Sequence, residues 1–246
     1  MAKVRLDQLL VDRGLVESRS RAQALIMAGL VYSKERKLEK AGQQMAPDSE
    51  LEVRGQDHPW VSRGGLKLAH ALEHFHIDPK GKVCIDVGAS TGGFSDVLLQ
   101  NGAARVYAVD VGHGQLAWKL RSDDRVKVLE KTNARYLTNE QIPELADIVV
   151  CDASFIGLKT VLPAALSLTK DNARLAALIK PQFEAGREHV GKGGVVRDPD
   201  IHAAVCEDIR AWLDGMEDWT VEGIVESPIK GPEGNIEFLI VAGKST

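Results

Sequence analysis

The sequence predicts an α/β fold in which a mostly parallel sheet with an antiparallel last strand follows a small N-terminal α+β domain. Short apolar runs alternate with helix-like segments through most of the chain, which is typical of a parallel sheet covered by helices on both faces. The last two runs, WTVEGIVES and IEFLIVAG, are joined by a loop containing Pro and Gly, which indicates an antiparallel hairpin. The runs before them are KVCIDVG, RVYAVDVG, VKVLEKT, DIVVCDAS and RLAALIKP.

The composition is that of a folded protein without a membrane-spanning segment. The chain has 246 residues, 44% of them hydrophobic and 27% charged, and no apolar run of the roughly 18 residues that a transmembrane helix needs. Its start, MAKVRLDQLLVDRG, carries charges where a secretory signal peptide is apolar. Cys84, Cys151 and Cys206 lie far apart in apolar settings, which predicts buried reduced thiols and no metal site. We therefore expect a cytoplasmic protein with no stable membrane association.

Two short helices are predicted in RLDQLLVDRGLVESRSRAQALIMAGLVY. Gly14 ends the first and Ser18 caps the second, which places Arg19 and Arg21 in its first turn. Residues 1–40 hold nine Lys or Arg against five Asp or Glu, so a +4 segment precedes a −8 body in a chain of net charge −4. This asymmetry is typical of a small module that docks on RNA or DNA. The apolar stripes are Leu6, Leu9 and Leu10, then Ala22, Leu25 and Ile26.

A linker is predicted in QDHPWVSRGG. Pro59 interrupts the chain there, and Gly64 and Gly65 loosen it. The sequence therefore predicts an N-terminal domain at residues 1–57, a linker at residues 58–64 and a C-terminal domain at residues 65–246.

The glycine-rich turn in DVGASTGGFSDVLL differs from the dinucleotide fingerprint GxGxxG at one position. With Gly88 as the first glycine, Ser90 takes the middle place and Gly93 the third. The tight turn and the close helix packing are retained, whereas the middle glycine that lets the backbone touch a pyrophosphate is absent. The turn favours a nucleoside cofactor without phosphates, such as S-adenosylmethionine, over NAD or a purely structural turn.

Two carboxylates accompany this turn in the predicted sheet. Asp110 ends the second strand, where a carboxylate can accept both ribose hydroxyls of a cofactor. Asp86 lies at the end of the first strand and is placed to meet the amino-acid part of the cofactor. The candidate cofactor-binding residues are Asp86, Gly88, Ser90, Thr91, Gly92, Gly93, Asp110, Val111, Asn133 and Asp152.

Four charged residues are expected to meet at the carboxyl edge of the sheet, where ligands bind in open α/β folds. Asp152 follows the fourth strand, and Lys180 closes the fifth. Glu237 begins the last strand, which runs backwards, so its start lies at the same edge. Lys67 is on a helix before the first strand, from which its side chain can reach the cleft. Surface ion pairs at strand ends are the alternative interpretation.

The N-terminal pattern R-L-D-x-L-L-x-x-x-G-L-x-x-S-R-x-x-A-x-x-L-I-x-x-G-x-V resembles the S4 RNA-binding domain. The resemblance implies contact with structured RNA through Arg and Lys on the helix pair and the following turn. The sequence departs from that family in VYSKERKLEK, where many members have a basic or Asn-Gly hairpin. A solvated charged face on a two-helix unit is the alternative. The candidate RNA-binding residues are Arg5, Arg19, Arg21, Lys34 and Arg36.

The four charged residues occur in the order of the Lys-Asp-Lys-Glu set of FtsJ-type ribose 2′-O-methyltransferases. With the S4 pattern and the motifs PWVSRGGLKL, VGHGQLAWKLR, KTNARYL, IKPQFE and GPEGNIEF, they make the chain similar to the TlyA (haemolysin A) family of ribosomal RNA methyltransferases. The resemblance implies a Rossmann-like class I methyltransferase sheet and S-adenosyl-L-methionine as cofactor. It also implies 2′-O-methylation of cytidine in ribosomal RNA within ribosomal subunits, with the large subunit favoured.

In that chemistry a ribose hydroxyl must lose its proton as it attacks a methyl group. We expect Lys180 to accept the proton, with Lys67 beside it, and Asp152 and Glu237 to orient the ammonium that forms. Two other functions stay open at this point: a membrane-lytic protein, which the haemolysin label suggests, and a non-catalytic RNA-binding protein. The sequence does not indicate an oligomeric state.

Overall fold

The computed structural model describes residues 3–16, 18–54 and 58–246. The predicted end of the N-terminal domain, residue 57, lies outside the described residues. The elements of the N-terminal part are β1 (Val4–Arg5), α1 (Leu6–Asp12), α2 (Arg19–Met27), β2 (Val31–Ser33), β3 (Arg36–Lys37), β4 (Gln44–Met45) and β5 (Glu52–Val53). β1 pairs with β4, and β2 pairs with β3 and β5, all antiparallel.

Both predicted N-terminal helices are confirmed. Ser18 caps α2, because its Oγ accepts a hydrogen bond from Arg21 N at 3.2 Å. Gly14 follows α1 with a left-handed φ of 66°, a conformation that glycine adopts without strain. The two apolar stripes face each other and close a small core with the strands, made of Leu6, Leu10, Val16, Ala22, Leu25, Ile26, Val31 and Leu38.

The rest of the chain forms one larger sheet with its helices. The elements are α3 (Gly64–His74), β6 (Val83–Val87), α4 (Gly93–Gln100), β7 (Arg105–Val109), α5 (Trp118–Arg121), β8 (Val126–Leu129), β9 (Ala146–Cys151), α6 (Leu158–Leu166), β10 (Thr169–Ile179), α7 (Pro181–Glu184), α8 (Pro199–Asp214), β11 (Trp219–Glu226) and β12 (Phe238–Lys244). Short 3₁₀ helices occupy Ala134–Tyr136, Arg187–His189 and Pro232–Gly234.

The strands form a seven-stranded sheet in the order β11-β12-β10-β9-β6-β7-β8. The five strands from β10 to β8 pair in parallel, and β12 is antiparallel to both of its neighbours. The predicted parallel sheet with an antiparallel last strand is confirmed. Phe238 at the start of β12 pairs with Ile179 at the end of β10. This register places Glu237 beside Lys180 at the carboxyl edge.

Both faces of the sheet are buried, because successive side chains of a strand point to opposite sides. In β6, Cys84 packs in one core cluster, whereas Ile85 and Val87 pack in the other. Helices α3 and α4 cover the first face, and α6 and α8 cover the second. This two-sided cover explains why the strand sequences are apolar throughout.

The structure bears on two expectations drawn from composition: buried cysteine thiols and the absence of a membrane-spanning helix. Cys84 and Cys151 are buried free thiols, as expected, whereas Cys206 on α8 is a free thiol that is only partly buried against the core. In the part of the chain that the structure describes, no helix has both the length and the apolar character that crossing a membrane requires.

Candidate active site

The carboxyl edge of the sheet holds two adjoining cavities, of about 290 Å³ and 340 Å³. The smaller cavity contains Lys67 and Lys180, and the larger contains Asp110 and Asn133. Because they have a common wall, a ligand in one cavity can present a group to the other. That wall consists of Gly88, Ser90, Asp152 and Ser154.

The four charged residues expected at this edge form a continuous chain of ion pairs. Lys180 Nζ lies 2.6 Å from Asp152 Oδ1, although this contact is outside hydrogen-bond geometry. Lys67 Nζ lies 3.7 Å from Asp152 Oδ2 and donates a hydrogen bond to Glu237 Oε2 at 2.7 Å. Lys67, Lys180 and Glu237 are buried, so these contacts differ from the surface ion pairs that the alternative interpretation supposes. The structure brings the set together, and the catalytic role stays a prediction.

A close approach of two helices places Lys67 over the cleft. A Cβ on Gly93, at the start of α4, would lie 3.0 Å from the backbone nitrogen of Gly65 in α3. A side chain there would push the backbone of Gly65 away by a few tenths of an ångström and displace Ser62 Oγ, so glycine favours this close packing. The third glycine of the fingerprint predicts close packing of a helix on a strand, whereas the backbone next to Gly93 is that of α3, the helix that carries Lys67.

Lys180 Nζ has two further acceptors, which the sequence did not indicate. It donates to the main-chain oxygen of Asp152 at 3.0 Å and to Ser154 Oγ at 2.9 Å. These contacts come from the loop after β9 and fix the amine at the wall between the cavities. Ser154 therefore belongs to the candidate site.

Glu237 has a second neighbour that sequence reasoning missed. Gln182 Nε2 donates to Glu237 Oε1 at 3.4 Å, and Gln182 Oε1 is buried without a hydrogen-bond partner among the described residues. Gln182 lies in α7, directly after Lys180 and Pro181. The motif KPQ thus contributes to the ion-pair chain at two positions.

The glycine-rich turn has an unusual backbone at its serine. Ser90 has a φ of 49°, in the left-handed region that favours glycine, and it stands where the fingerprint has its middle glycine. Its backbone nitrogen donates to Asp110 Oδ2 at 2.8 Å, and Gly112 N donates to Asp110 Oδ1 at 2.7 Å. These bonds hold the Asp110 carboxylate at the cavity, and each oxygen keeps a lone pair for a ligand hydroxyl.

Gly88 brings two loops into contact beneath this turn. It has a φ of 83°, and a Cβ there would lie 2.8 Å from the backbone nitrogen of Ala153. Any side chain would push the loop after β9, with Asp152, away from the turn. Gly88 therefore holds the common wall of the two cavities together.

The larger cavity combines the Asp110 carboxylate with an apolar stretch of wall. Val111 is 72% exposed and Phe155 is 90% exposed, and both line it, together with Ile156 and Val161. Asn133 lines it too, with Oδ1 accepting from Arg135 N at 3.1 Å. A carboxylate for ribose hydroxyls and an apolar slot for a base fit an adenosine-containing cofactor.

Two predicted cofactor residues, Asp86 and Gly92, lie outside both cavities. Asp86 is fully buried behind the turn, where its Oδ2 accepts from Ser95 Oγ at 2.6 Å and its Oδ1 has no partner among the described residues. Burial raises the pKa of Asp86 to about 7. Gly92 caps α4, whereas Thr91 and Gly93 line the smaller cavity.

Comparison with known proteins matches residues 60–244 to the FtsJ-like methyltransferase family. The chain belongs to this family. Residues 4–45 match the S4 domain, so the chain joins an S4 domain to an FtsJ-like methyltransferase domain, and the predicted fold is confirmed. More distant solved S-adenosylmethionine-dependent methyltransferases, at 15% and 17% identity with a TM-score of 0.51, are alike in fold alone.

Relatives of this methyltransferase cover nearly its whole length. YqxC of Bacillus subtilis (strain 168), which has the name of a candidate rRNA methyltransferase, is 51% identical over 97% of this chain and 85% of its own. TlyA of Mycobacterium tuberculosis, named a 16S/23S rRNA (cytidine-2'-O)-methyltransferase, is 46% identical over 97% of this chain and 89% of its own. A solved candidate hemolysin from Streptococcus thermophilus has 45% identity and a TM-score of 0.78, over 100% of this chain and 90% of that chain. The predicted resemblance to the TlyA family is confirmed.

The candidate RNA-binding residues of the S4 domain lie in two places. Arg5 and Arg19 both contact the carboxylate of Asp7, and Arg21 follows on α2. The segment VYSKERK forms a tight hairpin of β2 and β3 despite its departure from the family pattern, and Lys34 turns with a φ of 54°. The exposed side chains of Lys34 and Arg36 lie on this hairpin. RNA contact at both places stays a prediction.

Proposed function

We propose that the chain transfers a methyl group from S-adenosyl-L-methionine to the 2′-hydroxyl of a cytidine in ribosomal RNA. The large ribosomal subunit is its preferred substrate. The observation that carries the proposal is the ion-pair chain of Lys180, Asp152, Lys67 and Glu237, which meets the common wall of the two cavities at Asp152. The name of the M. tuberculosis relative supports the substrate. The S4 domain, with its positive charge, supports an RNA partner.

In this proposal the larger cavity binds the cofactor and the smaller cavity binds the target ribose. S-adenosylmethionine supplies the electrophilic methyl group. Asp110 would accept hydrogen bonds from the hydroxyls of the cofactor ribose, and Val111 and Asn133 would line the slot for its base. The target ribose then enters the smaller cavity, and Asp152 and Ser154 at the common wall place its hydroxyl in line with the methyl group.

The side chains around Lys180 handle the proton of the target hydroxyl. The proton leaves O2′ as this oxygen attacks, and Lys180 Nζ, which lines the smaller cavity and contacts the common wall, is the side-chain nitrogen that we assign to accept it. Nζ accepts the proton as the neutral amine, whose two N–H groups donate to Asp152 O and Ser154 Oγ and leave the lone pair free for the proton from O2′. Asp152 then balances the ammonium, while Glu237 holds Lys67 in place. Burial keeps bulk water from competing as proton acceptor.

The decisive experiment compares Lys180→Met with the wild-type protein. Labelled S-adenosylmethionine is incubated with separate unmethylated large and small ribosomal subunits, and the label is mapped to its nucleotide. We expect wild-type protein to label a cytidine ribose of the large subunit. Lys180→Met should bind cofactor and subunits yet lose methyl transfer by at least about a hundredfold, because it deletes the proton acceptor and keeps most of the volume.

A matched control is Lys170→Met, which removes an exposed lysine paired with Asp147 on the surface. It should methylate at the wild-type rate. Near-normal turnover by Lys180→Met would show that Lys180 has only a structural role. Release of dye from liposomes by the protein without S-adenosylmethionine would support membrane-lytic activity instead.

A further inference from the structure

One buried carboxylate in the S4 domain holds two arginines. Asp7 Oδ1 accepts from Arg5 Nε and from Gln8 N, both at 3.0 Å. Asp7 Oδ2 accepts from Arg5 Nη2 at 2.9 Å, Arg19 Nη2 at 3.1 Å and Gln23 Nε2 at 2.9 Å. The carboxylate is 0% exposed, so these donors replace its water entirely.

The arginines themselves are not buried. The side chain of Arg5 is 47% exposed and that of Arg19 is 50% exposed. Within the described ranges, Arg19 donates through Nη2 alone and Arg5 through Nε and Nη2, so each guanidinium keeps N–H groups that face solvent. Two cations on one anion leave a net positive charge at this point of the surface.

The Asp7 carboxylate is charged in this arrangement. The hydrogen bond from Arg5 holds the pKa of Asp7 well below its usual range, with further help from Gln23 and Arg19. A charged carboxylate with a bidentate partner fixes the plane of that guanidinium. Asp7 therefore anchors two arginines, Arg5 from the end of β1 and Arg19 from the first turn of α2. Both extend from this carboxylate toward solvent.

We propose that Asp7 is a positioning residue for RNA binding, which holds Arg5 and Arg19 in the orientation that contacts RNA phosphates. The proposal rests on the proposed function, since it requires ribosomal RNA to bind the S4 domain. Arginines ordered before binding lose less conformational freedom when they meet phosphate. The anchor thus raises affinity although its own charge repels RNA.

For Asp7→Asn, a purely electrostatic effect and a positioning effect change the affinity for RNA in opposite directions. Asp7→Asn removes a buried negative charge beneath the proposed RNA-binding surface, so electrostatics alone predicts tighter binding. Loss of the anchor frees both guanidinium groups, so positioning predicts weaker binding, by about tenfold for two long side chains.

The test is a double-mutant cycle on the full chain. The affinity for vacant large ribosomal subunits, purified from cells that lack the gene for this chain, is measured for Asp7→Asn in the wild-type background and in an Arg5→Gln/Arg19→Gln background. We expect about a tenfold loss in the first background and no loss in the second, because Asp7 acts through the two arginines. An equal loss in both backgrounds, or tighter binding in the first, overturns the proposal.

Two more variants separate positioning from folding. Asp12→Asn makes the same charge change on α1 at a carboxylate that accepts from Gln8 and no arginine, so its affinity should be unchanged or higher. Gln23→Met removes a neutral donor from Asp7 and should weaken binding two- to threefold, in the wild-type background only. If Asp7→Asn does not fold, Gln23→Met takes its place in the double-mutant cycle. An equal loss of subunit affinity in the wild-type and the Arg5→Gln/Arg19→Gln backgrounds then overturns the proposal. Failure of the wild-type protein to bind subunits at all overturns the proposed function instead.

Discussion

Asp86 makes the stability of the methyltransferase domain depend on pH in an unusual direction. Its pKa is raised from 3.8 to about 7 by burial. A carboxyl with a raised pKa stays protonated in the folded state while the unfolded chain has already lost the proton, so stability falls as pH rises from about 4 to about 7. Between pH 5 and pH 8, this amounts to about 3 kcal/mol in the free energy of unfolding, at about 1.4 kcal/mol for each pKa unit.

Asp86→Asn tests the predicted pH dependence of the free energy of unfolding. Asparagine does not titrate, and it keeps an acceptor for the hydrogen bond from Ser95 Oγ. Denaturant unfolding at pH 5 and at pH 8 gives the free energy of unfolding of both proteins. We expect the wild-type protein to lose about 3 kcal/mol more than the variant between these pH values, since all other titrating groups cancel in the comparison. Parallel pH dependence in the two proteins would refute the reasoning and show that Asp86 ionises inside the fold without penalty.

Three further predictions concern the ligands. S-adenosylmethionine should raise the melting temperature of the wild-type protein, and Asp110→Ala should weaken that shift, whereas equal stabilisation by NAD would contradict the cofactor assignment. Ser154→Ala should lower the rate of methyl transfer about tenfold at unchanged RNA affinity, because Lys180 loses one charge-assisted hydrogen bond; a single-turnover assay at the wild-type rate would count against it. Arg19→Ala/Arg21→Ala should flatten the log–log salt dependence of RNA binding by up to about two units, and an unchanged slope would place the RNA surface elsewhere.

The sheet and the directions of its strands could be predicted because burial and chain reversal both leave patterns in the sequence. Strands buried on both faces are apolar at every position, and the chain reversal before β12 is marked by Pro and Gly. β10 is longer than its apolar run RLAALI indicates. It begins at Thr169, where it pairs with Ala146, and an irregularity follows before Arg174. Lys170, Asp171 and Asn172, which lie between these paired positions, are exposed and polar, so this part of β10 carried no apolar strand signal.

The charged members of the site could be predicted, but their neutral neighbours could not. Lys180 and Glu237 stand at strand ends, so topology alone brings them together. Ser154 is a common loop residue, and its contact with Lys180 depends on how the loop after β9 folds back. The bond from Lys180 to the main-chain oxygen of Asp152 involves an atom that every residue has. Asp86 stays a predicted cofactor residue, but its position at a strand end does not reveal that its carboxyl is buried and covered by Ser95.

β12 lies inside the sheet, although it is the last strand in chain order. During synthesis β10 and β11 leave the ribosome first, and each keeps an unpaired edge until β12 enters between them. Glu237 arrives only with that strand, so until then Lys67 has Asp152 as its sole carboxylate partner in the ion-pair chain. The insertion that closes the exposed edges also completes the ion-pair chain. We therefore expect a chain truncated before β12 to be prone to aggregation and, on the proposed function, inactive.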